Sequence, residues 1–110
     1  NLGALFHELH DTEGAITNYQ KALAHRPDFA EAHNNLGAAL MEQDKAREAI
    51  EWYRRALRLA PNNAKIHDNL GMALVRAGEV DEAFRHFAEA IRIDPAYLQA
   101  QENLNRLQSR

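Results

Sequence analysis

A period of 34 residues runs through the whole chain of 110 residues. The triplet Asn-Leu-Gly stands at 1–3, 35–37 and 69–71, and Asn103 and Leu104 continue its first two positions. Four further columns keep the same spacing: Pro27, Pro61 and Pro95; Ala15, Ala49 and Ala83; Ala22, Ala56 and Ala90; Tyr19, Tyr53 and Phe87. A fixed period of this length is typical of a chain that stacks one supersecondary unit, so we expect an array rather than a single closed core.

Each unit has the apolar pattern of two helices joined by a turn. In residues 30–43 and 47–59 the apolar side chains recur every three or four residues, and the segments 43–45 and 77–79 between such helices are polar or contain glycine. The second helix must end before the proline of each unit. The pattern predicts helices at 1–9, 13–25, 30–43, 47–59, 64–77, 81–93 and 97–108.

Small residues are expected where the two helices of a unit face each other. Gly37 and Ala49 face each other in one pair, and their small size lets the two backbones approach closely, with Tyr53 filling the space further along. No single pair can bury both of its faces, whereas stacked pairs share a continuous core. The predicted fold is therefore an all-α, right-handed solenoid of antiparallel helix pairs with a concave face.

Composition excludes several functional classes. There is no cysteine, which excludes disulfides and thiolate metal sites. The net charge of −3 gives no electrostatic case for a nucleic-acid partner, and the apolar runs are too short for membrane insertion. His7 and His10 lack the spacing and the third ligand of a zinc site, and no activated nucleophile or phosphate loop is present. We therefore expect neither catalysis nor a cofactor nor a metal.

The columns resemble the tetratricopeptide repeat, in which Leu-Gly is followed by alanine, an aromatic residue, alanine and a closing proline. The resemblance covers essentially the whole chain, although His33 and His67 stand where many such repeats carry an aromatic residue. It implies three repeats, the first lacking five residues of its opening helix, and a capping helix: 1–29, 30–63, 64–97 and 98–110. The start at Asn1 without an initiator methionine also predicts a piece of a longer protein, and no compartment is assigned.

The two ends of the chain are expected to differ. In residues 98–110, Leu98, Ala100, Leu104 and Leu107 can pack on the preceding pair while polar side chains face water, as solenoid caps do. The opposite end carries large apolar side chains on a shortened helix with no cap before it: Leu2, Leu5, Phe6 and Leu9. We expect upstream sequence or a second copy of the chain to cover them.

The resemblance implies that the first helix of each pair lines a concave face that binds protein or peptide partners. Helical geometry selects the residues opposite the buried stripe. The predicted partner-binding residues are Glu31, Asn34, Asn35, Met41, Glu42, Lys65, Asp68, Asn69, Met72, Arg76 and Asn103. The methionines offer adaptable apolar contacts, and the mixed charges favour a peptide with both signs.

Asn35, Asn69 and Asn103 continue a column that begins at Asn1. An asparagine amide offers the donors and acceptor of a peptide group, so the column can bond the backbone of an extended polypeptide. In this respect it resembles the asparagine ladder of O-linked N-acetylglucosamine transferases. The alternative is that each asparagine bonds its neighbouring helix. The carboxylate clamp of chaperone-binding repeats matches poorly, because only Asn35 and Lys65 agree with its five positions.

Two further groups of polar residues are given structural roles. His33 and His67 are expected to pack half-buried within their repeats. The second helix of the second unit carries arginines with glutamates one turn earlier, which predicts a salt-bridged outer face: Arg54, Arg55 and Arg58 with Glu48 and Glu51.

Three hypotheses for function follow. The first is a non-catalytic scaffold that binds a peptide segment or a helix of a partner in the concave groove. The second is the substrate-recognition part of a larger glycosyltransferase. The third is an assembly module that stacks through its N-terminal helix. A repeat protein that binds RNA is disfavoured, because its groove would be basic.

Overall fold

The structure of the protein is a computed structural model that describes Thr17, Lys21 and residues 30–109. Within residues 30–109 it contains five helices and no strand: α1 (Ala30–Glu42), α2 (Ala46–Leu59), α3 (Ala64–Arg76), α4 (Val80–Ile93) and α5 (Leu98–Gln108). Each end lies within one residue of the predicted bound. The helix expected at 1–9 and most of that expected at 13–25 lie outside the described residues, as does the predicted apolar edge at Leu2, Leu5, Phe6 and Leu9.

The helices form two rows. Helices that follow one another in the chain pack side by side: α1 packs on α2, α2 on α3, α3 on α4 and α4 on α5. Cα atoms of α1 and α3, and of α3 and α5, also approach within 8 Å, so these three helices form one row and α2 and α4 form the other. This arrangement confirms the predicted all-α solenoid of stacked helix pairs.

One apolar core runs through the stack. Leu36, Leu70 and Leu74 are completely buried, and so are the recurring alanines Ala49 and Ala83. Apolar residues from all five helices belong to a single cluster. A pair taken alone would expose one face of this cluster to water, so each pair depends on its neighbours for burial.

The closest packing within a pair lies where a glycine meets an aromatic ring. A Cβ built on Gly37 would come within 2.7 Å of Tyr53 Cε1, and one built on Gly71 within 2.5 Å of Phe87 Cε1. Tyr53 and Phe87 are almost completely buried. The expectation that the ring fills space further along from the glycine is therefore wrong, because the ring lies directly on the glycine and occupies the place of its missing side chain.

The turns explain where the helices begin and end. At the start of α3, Asn63 Oδ1 accepts a hydrogen bond from the Ile66 N–H at 3.1 Å, which satisfies one of the free donors of the first turn. After α1 and after α3, Asp44 and Gly78 hold equivalent positions with φ of 60° and 86°. Glycine adopts this left-handed backbone without strain, in agreement with the glycine expected at the end of this helix.

The last helix is only partly packed as predicted. Ala100, Asn103 and Leu107 of α5 are buried, whereas Leu98 is 66% exposed. The expectation that Leu98 packs on the preceding pair is therefore wrong. Leu98 is the first residue of α5, and its side chain is mostly exposed to solvent. Among the described residues no helix is long and apolar enough to cross a membrane.

We expect Gly71→Ala to lower the free energy of unfolding by about 2 kcal/mol, because the added methyl group overlaps the Phe87 ring and overpacking a core costs this much. The matched background is Phe87→Leu, which removes the ring. There the same substitution should instead stabilise the protein by about 1 kcal/mol, through its gain in helix propensity. Urea denaturation of the wild type, Gly71→Ala, Phe87→Leu and the double variant measures both effects. A loss of equal size in the two backgrounds would show that the Phe87 ring is not the cause.

Candidate functional site

Two clefts open along the row of α1, α3 and α5. The α1–α3 cleft has a volume of about 450 Å³ and is lined by Ala38, Met41, Glu42, Tyr53, Asn69, Met72 and Arg76. The α3–α5 cleft has a volume of about 220 Å³ and is lined by Met72, Val75, Arg76, Phe87, Asn103, Arg106 and Leu107. Because the two clefts share Met72 and Arg76, they form one continuous surface, which we call the groove.

The two clefts are copies of one site. Six positions of the first recur in the second after a shift of 34 residues: Ala38 and Met72, Met41 and Val75, Glu42 and Arg76, Tyr53 and Phe87, Asn69 and Asn103, Met72 and Arg106. Each cleft therefore lies between the first helices of adjacent units, with the buried aromatic ring of the earlier unit beneath it. The 34-residue repeat determines the geometry of both clefts. The residue types at equivalent positions determine the chemistry of each cleft.

The predicted partner-binding residues fall into three groups. Glu31 and Lys65 are exposed in the first turns of α1 and α3 and line neither cleft. Asn34 and Asp68 are buried, and Asn35 is half-buried. The residues that line the groove are Met41, Glu42, Asn69, Met72, Arg76 and Asn103. Partner binding by any of them stays a prediction, but these six share one surface.

Sequence reasoning did not include Tyr53, Phe87 and Leu107 in the site. Their apolar side chains line the clefts although they are buried, and burial raises the pKa of Tyr53 well above its ordinary value, so its phenol is neutral. The aromatic column recurs at 34 residues as clearly as the asparagine column. This column lies on the second helix of each pair, so an assignment restricted to first helices does not include it.

The asparagine column connects neighbouring units. Asn69 Nδ2 donates to Asn34 Oδ1 at 2.9 Å, and Asn103 Nδ2 donates to Asp68 Oδ1 at 2.8 Å. Asn34 and Asp68 are equivalent positions, so the same bond joins α1 to α3 and α3 to α5. The structure therefore shows the second alternative for Asn69 and Asn103, in which each side chain bonds the neighbouring helix.

The two bonds differ in charge. Asp68 is only 1% exposed, and burial raises the pKa of its carboxyl, while the Asn103 hydrogen bond opposes part of this rise. Burial also raises the pKa of Tyr97, and the charge of Asp68 adds to the effect. Asn34 makes the equivalent contact without a charge. The third unit therefore carries a buried carboxyl where the second has a neutral amide.

Stacked rings occupy equivalent positions between the helices of each pair. His33 stacks on Trp52 with ring centroids 5.6 Å apart, and His67 stacks on His86 with centroids 5.3 Å apart. His33 and His67 are 7% and 8% exposed, so the expected packing role is confirmed, with deeper burial than predicted. The third unit thus replaces a tryptophan by a second histidine.

The two histidines form a chain of contacts from Pro61 to Glu82. His67 Nε2 lies 2.9 Å from the Pro61 carbonyl oxygen, the two Nδ1 atoms lie 3.0 Å apart, and His86 Nε2 lies 3.4 Å from Glu82 Oε2. These three contacts link Pro61, His67, His86 and Glu82 in one chain, in which each ring nitrogen has a polar neighbour.

His67, His86 and Glu82 form a polar cluster, and Arg54 extends this cluster to α2. Its guanidinium bonds both carboxylate oxygens of Glu82 on α4, at 3.0 and 3.2 Å. Arg55 instead lies over the Trp52 ring, 4.5 Å from its centroid. The expectation that these two arginines pair with Glu48 and Glu51 of their own helix is therefore wrong, because Arg54 pairs with Glu82 on α4 and Arg55 lies over the Trp52 ring.

The cluster sets the protonation of His86 and Glu82. Burial lowers the pKa of His86, and the charge of His67 lowers it further, while Glu82 opposes both. Burial raises the pKa of Glu82, but Arg54 and His86 bring it below its ordinary value. Within residues 30–109 no group of three or more histidine or acidic side chains is arranged to hold a metal ion, and His7 and His10 lie outside the described residues.

Stacked helix pairs with a groove along the first helices define the class of helical-repeat solenoids. A family model for the tetratricopeptide repeat matches residues 28–96, and a second, described as TPR repeat, matches residues 3–44. The chain belongs to the tetratricopeptide repeat family. This family is typically a non-catalytic module for protein interaction.

Solved structures share this fold. The first TPR of Spaghetti (RPAP3), bound to the HSP90 peptide SRMEEVD, superposes with a TM-score of 0.94 at 19% identity, over 97% of this chain and 85% of that one. The second TPR domain of human RPAP3, in complex with the HSP70 peptide SGPTIEEVD, gives 0.92 at 24% identity, over 96% and 88%. MamA gives 0.92 at 26% identity, over 99% of this chain but only 64% of MamA.

No curated protein matches the sequence. The expected similarity to the repeats of O-linked N-acetylglucosamine transferases stays a prediction, since the structures described above are RPAP3 and MamA domains.

We expect Asp68→Asn, which copies the Asn34 contact into the third unit, to raise the free energy of unfolding at neutral pH by about 1 kcal/mol. A carboxyl whose folded pKa is raised binds its proton more tightly in the folded state, so wild-type stability falls as pH rises through that pKa. The variant should lack this fall. Denaturation of both proteins from acid to neutral pH measures it, and superimposable stability profiles would contradict the assignment.

We expect His86→Trp, which copies the His33–Trp52 stack, to remove an acid sensitivity of the α3–α4 pair. The folded pKa of His86 is lowered, so the unfolded chain binds more protons and stability falls as pH drops below about 6.5, the ordinary histidine value. The free energy of unfolding of the wild type should therefore decrease more than that of the variant between about pH 7 and pH 5. Parallel profiles would rule out this role for the pair.

Proposed function

We propose that the protein is a non-catalytic interaction scaffold that binds a peptide segment or a helix of a partner protein in the groove. The observation that carries the proposal is the continuous surface formed by the two repeat-related clefts. Its walls are half-buried apolar side chains, Met41, Met72 and Val75, next to the charged Glu42 and Arg76. Apolar clefts with a few charged groups at their rim are the usual form of a ligand site on a protein.

Relatives in fold support a peptide as the ligand. Two of them, the RPAP3 domains, were solved with the short peptides SRMEEVD and SGPTIEEVD. At 19% and 24% identity they share the fold with this chain, so the proposal for this chain rests on its own groove residues.

The asparagine column can contribute only in part to peptide binding. An amide has two N–H donors and one oxygen, and Asn69 and Asn103 each use Nδ2 for the neighbouring helix. Asn103 is 6% exposed, whereas Asn69 is half-buried at the edge of the α1–α3 cleft. Asn69 is therefore the better placed of the two to bond a ligand backbone with its oxygen and its second N–H.

The repeat also restricts the ligand. Packed helices lie about 8–10 Å apart, so the two clefts should be separated by about the same distance. In an extended polyproline-like segment, residues three apart are about 9 Å apart and lie on one face. In a helix the same distance requires residues about seven apart. Anchor residues of a bound segment should therefore show one of these two spacings.

Selection from a random displayed-peptide library, with the whole chain as bait, tests the proposal. Met72→Gln changes the apolar residue shared by both clefts and should weaken selected peptides about tenfold, the cost of losing a central apolar contact. Phe84→Gln is the matched control, since Phe84 is an apolar side chain on α4, 41% exposed, that lines neither cleft. Affinity is measured by fluorescence anisotropy.

Two results would overturn the proposal. One is a selection that yields no peptide binding above background. The other is an equal loss of affinity in Phe84→Gln and Met72→Gln, which would place the contact outside the groove.

A further inference from the structure

The α3–α5 cleft differs from the α1–α3 cleft in charge. Between the equivalent positions of the two clefts, Glu42 is replaced by Arg76 and Met72 by Arg106. The α1–α3 cleft is therefore lined by one acid and one base, whereas the α3–α5 cleft is lined by two arginines and no acidic residue. Both replacements shift the second cleft toward positive charge.

Neither arginine is firmly held by an acid of the described chain. Arg76 Nη1 lies 3.9 Å from Asp44 Oδ1, and the two side chains are 53% and 91% exposed. A pair that is so long and so exposed contributes little and can exchange partners at small cost. Arg106 makes no ion pair with any residue in the described ranges. Glu42 lines the α1–α3 cleft together with Arg76.

The rest of the α3–α5 cleft is apolar. Met72, Val75, Phe87 and Leu107 line it, and Phe87 is only 1% exposed, so the deepest part is a fixed aromatic surface. A volume of about 220 Å³ is below the roughly 300–1,000 Å³ typical of small-molecule pockets. The cleft therefore suits one apolar side chain of a larger ligand, with Arg76 and Arg106 at its rim.

We propose that the α3–α5 cleft selects an acidic segment of the partner, in which an aliphatic side chain enters the cleft and an adjacent carboxylate pairs with Arg76 and Arg106. This inference rests on the proposed function and adds the chemistry of the ligand. Guanidinium groups bind carboxylates through paired, charge-assisted hydrogen bonds. The α1–α3 cleft, which Glu42 lines together with Arg76, provides no comparable preference, so selection for acid is confined to the part of the ligand next to α5.

The test uses peptides selected on the wild-type chain, each made also with Gln or Asn in place of its acidic residues. The wild type should bind the acidic form about fivefold more tightly for each carboxylate that pairs with an exposed arginine. The difference should shrink at about 1 M salt, where the Debye length is only about 3 Å. Arg76→Glu and Arg106→Glu should each reduce or remove it. Arg85→Glu, an exposed position on α4, is the control with the same change in net charge.

The outcomes separate the inference from the proposed function. If peptides bind but their acidic and amide forms bind equally, the inference fails while the groove still binds peptide. If Arg76→Glu and Arg106→Glu lower only the melting temperature and leave the preference intact, the arginines serve the negative C-terminal ends of α3 and α5, and the inference fails. If Arg85→Glu removes the preference as well, general net charge explains it. If no peptide binds, both fail.

Discussion

In each described helix pair an aromatic ring of the second helix packs directly on a glycine of the first. Tyr53 lies on Gly37 and Phe87 on Gly71, at distances that leave no room for a Cβ. This contact sets how closely the two rows of helices approach. The same rings line the two clefts from below, so the depth of the groove follows from the packing of the pairs. Stability and the shape of the candidate site therefore have one physical origin.

Polar contacts between units add a second constraint, which is the alignment of one unit on the next. Asn69 and Asn103 each donate to the unit before, and Arg54 joins α2 to Glu82 of α4. Apolar packing is tolerant of small shifts along a helix, whereas a hydrogen bond between buried groups is lost with them. These contacts therefore favour a single alignment of the stack, and hence a fixed separation of the two clefts.

Three equivalent positions of the second and third units differ in charge or in the ability to bind a proton. Asn34 becomes Asp68, Trp52 becomes His86 and Glu42 becomes Arg76. The first two changes lie at contacts between helices and introduce groups whose pKa the fold shifts. The last lies in the groove and changes its charge. A repeat fold permits this because its geometry is kept by the glycine, alanine and aromatic columns, which leaves the remaining positions free to vary.

The all-α fold and the bounds of the helices from α1 to α5 could be predicted from the sequence, because glycine, alanine, aromatic and proline columns recur at one period and each has a local structural meaning. Helical periodicity also groups Met41, Met72 and Arg76 on the stripe that lines the groove, because it separates the exposed stripe from the buried one. Only the tertiary structure decided that Asn103 and Asp68 bond each other inside the stack, that Arg54 pairs with α4, and that aromatic rings form part of the groove. Each of these depends on which residues of different helices come together, and a helical period carries no information about distances between helices.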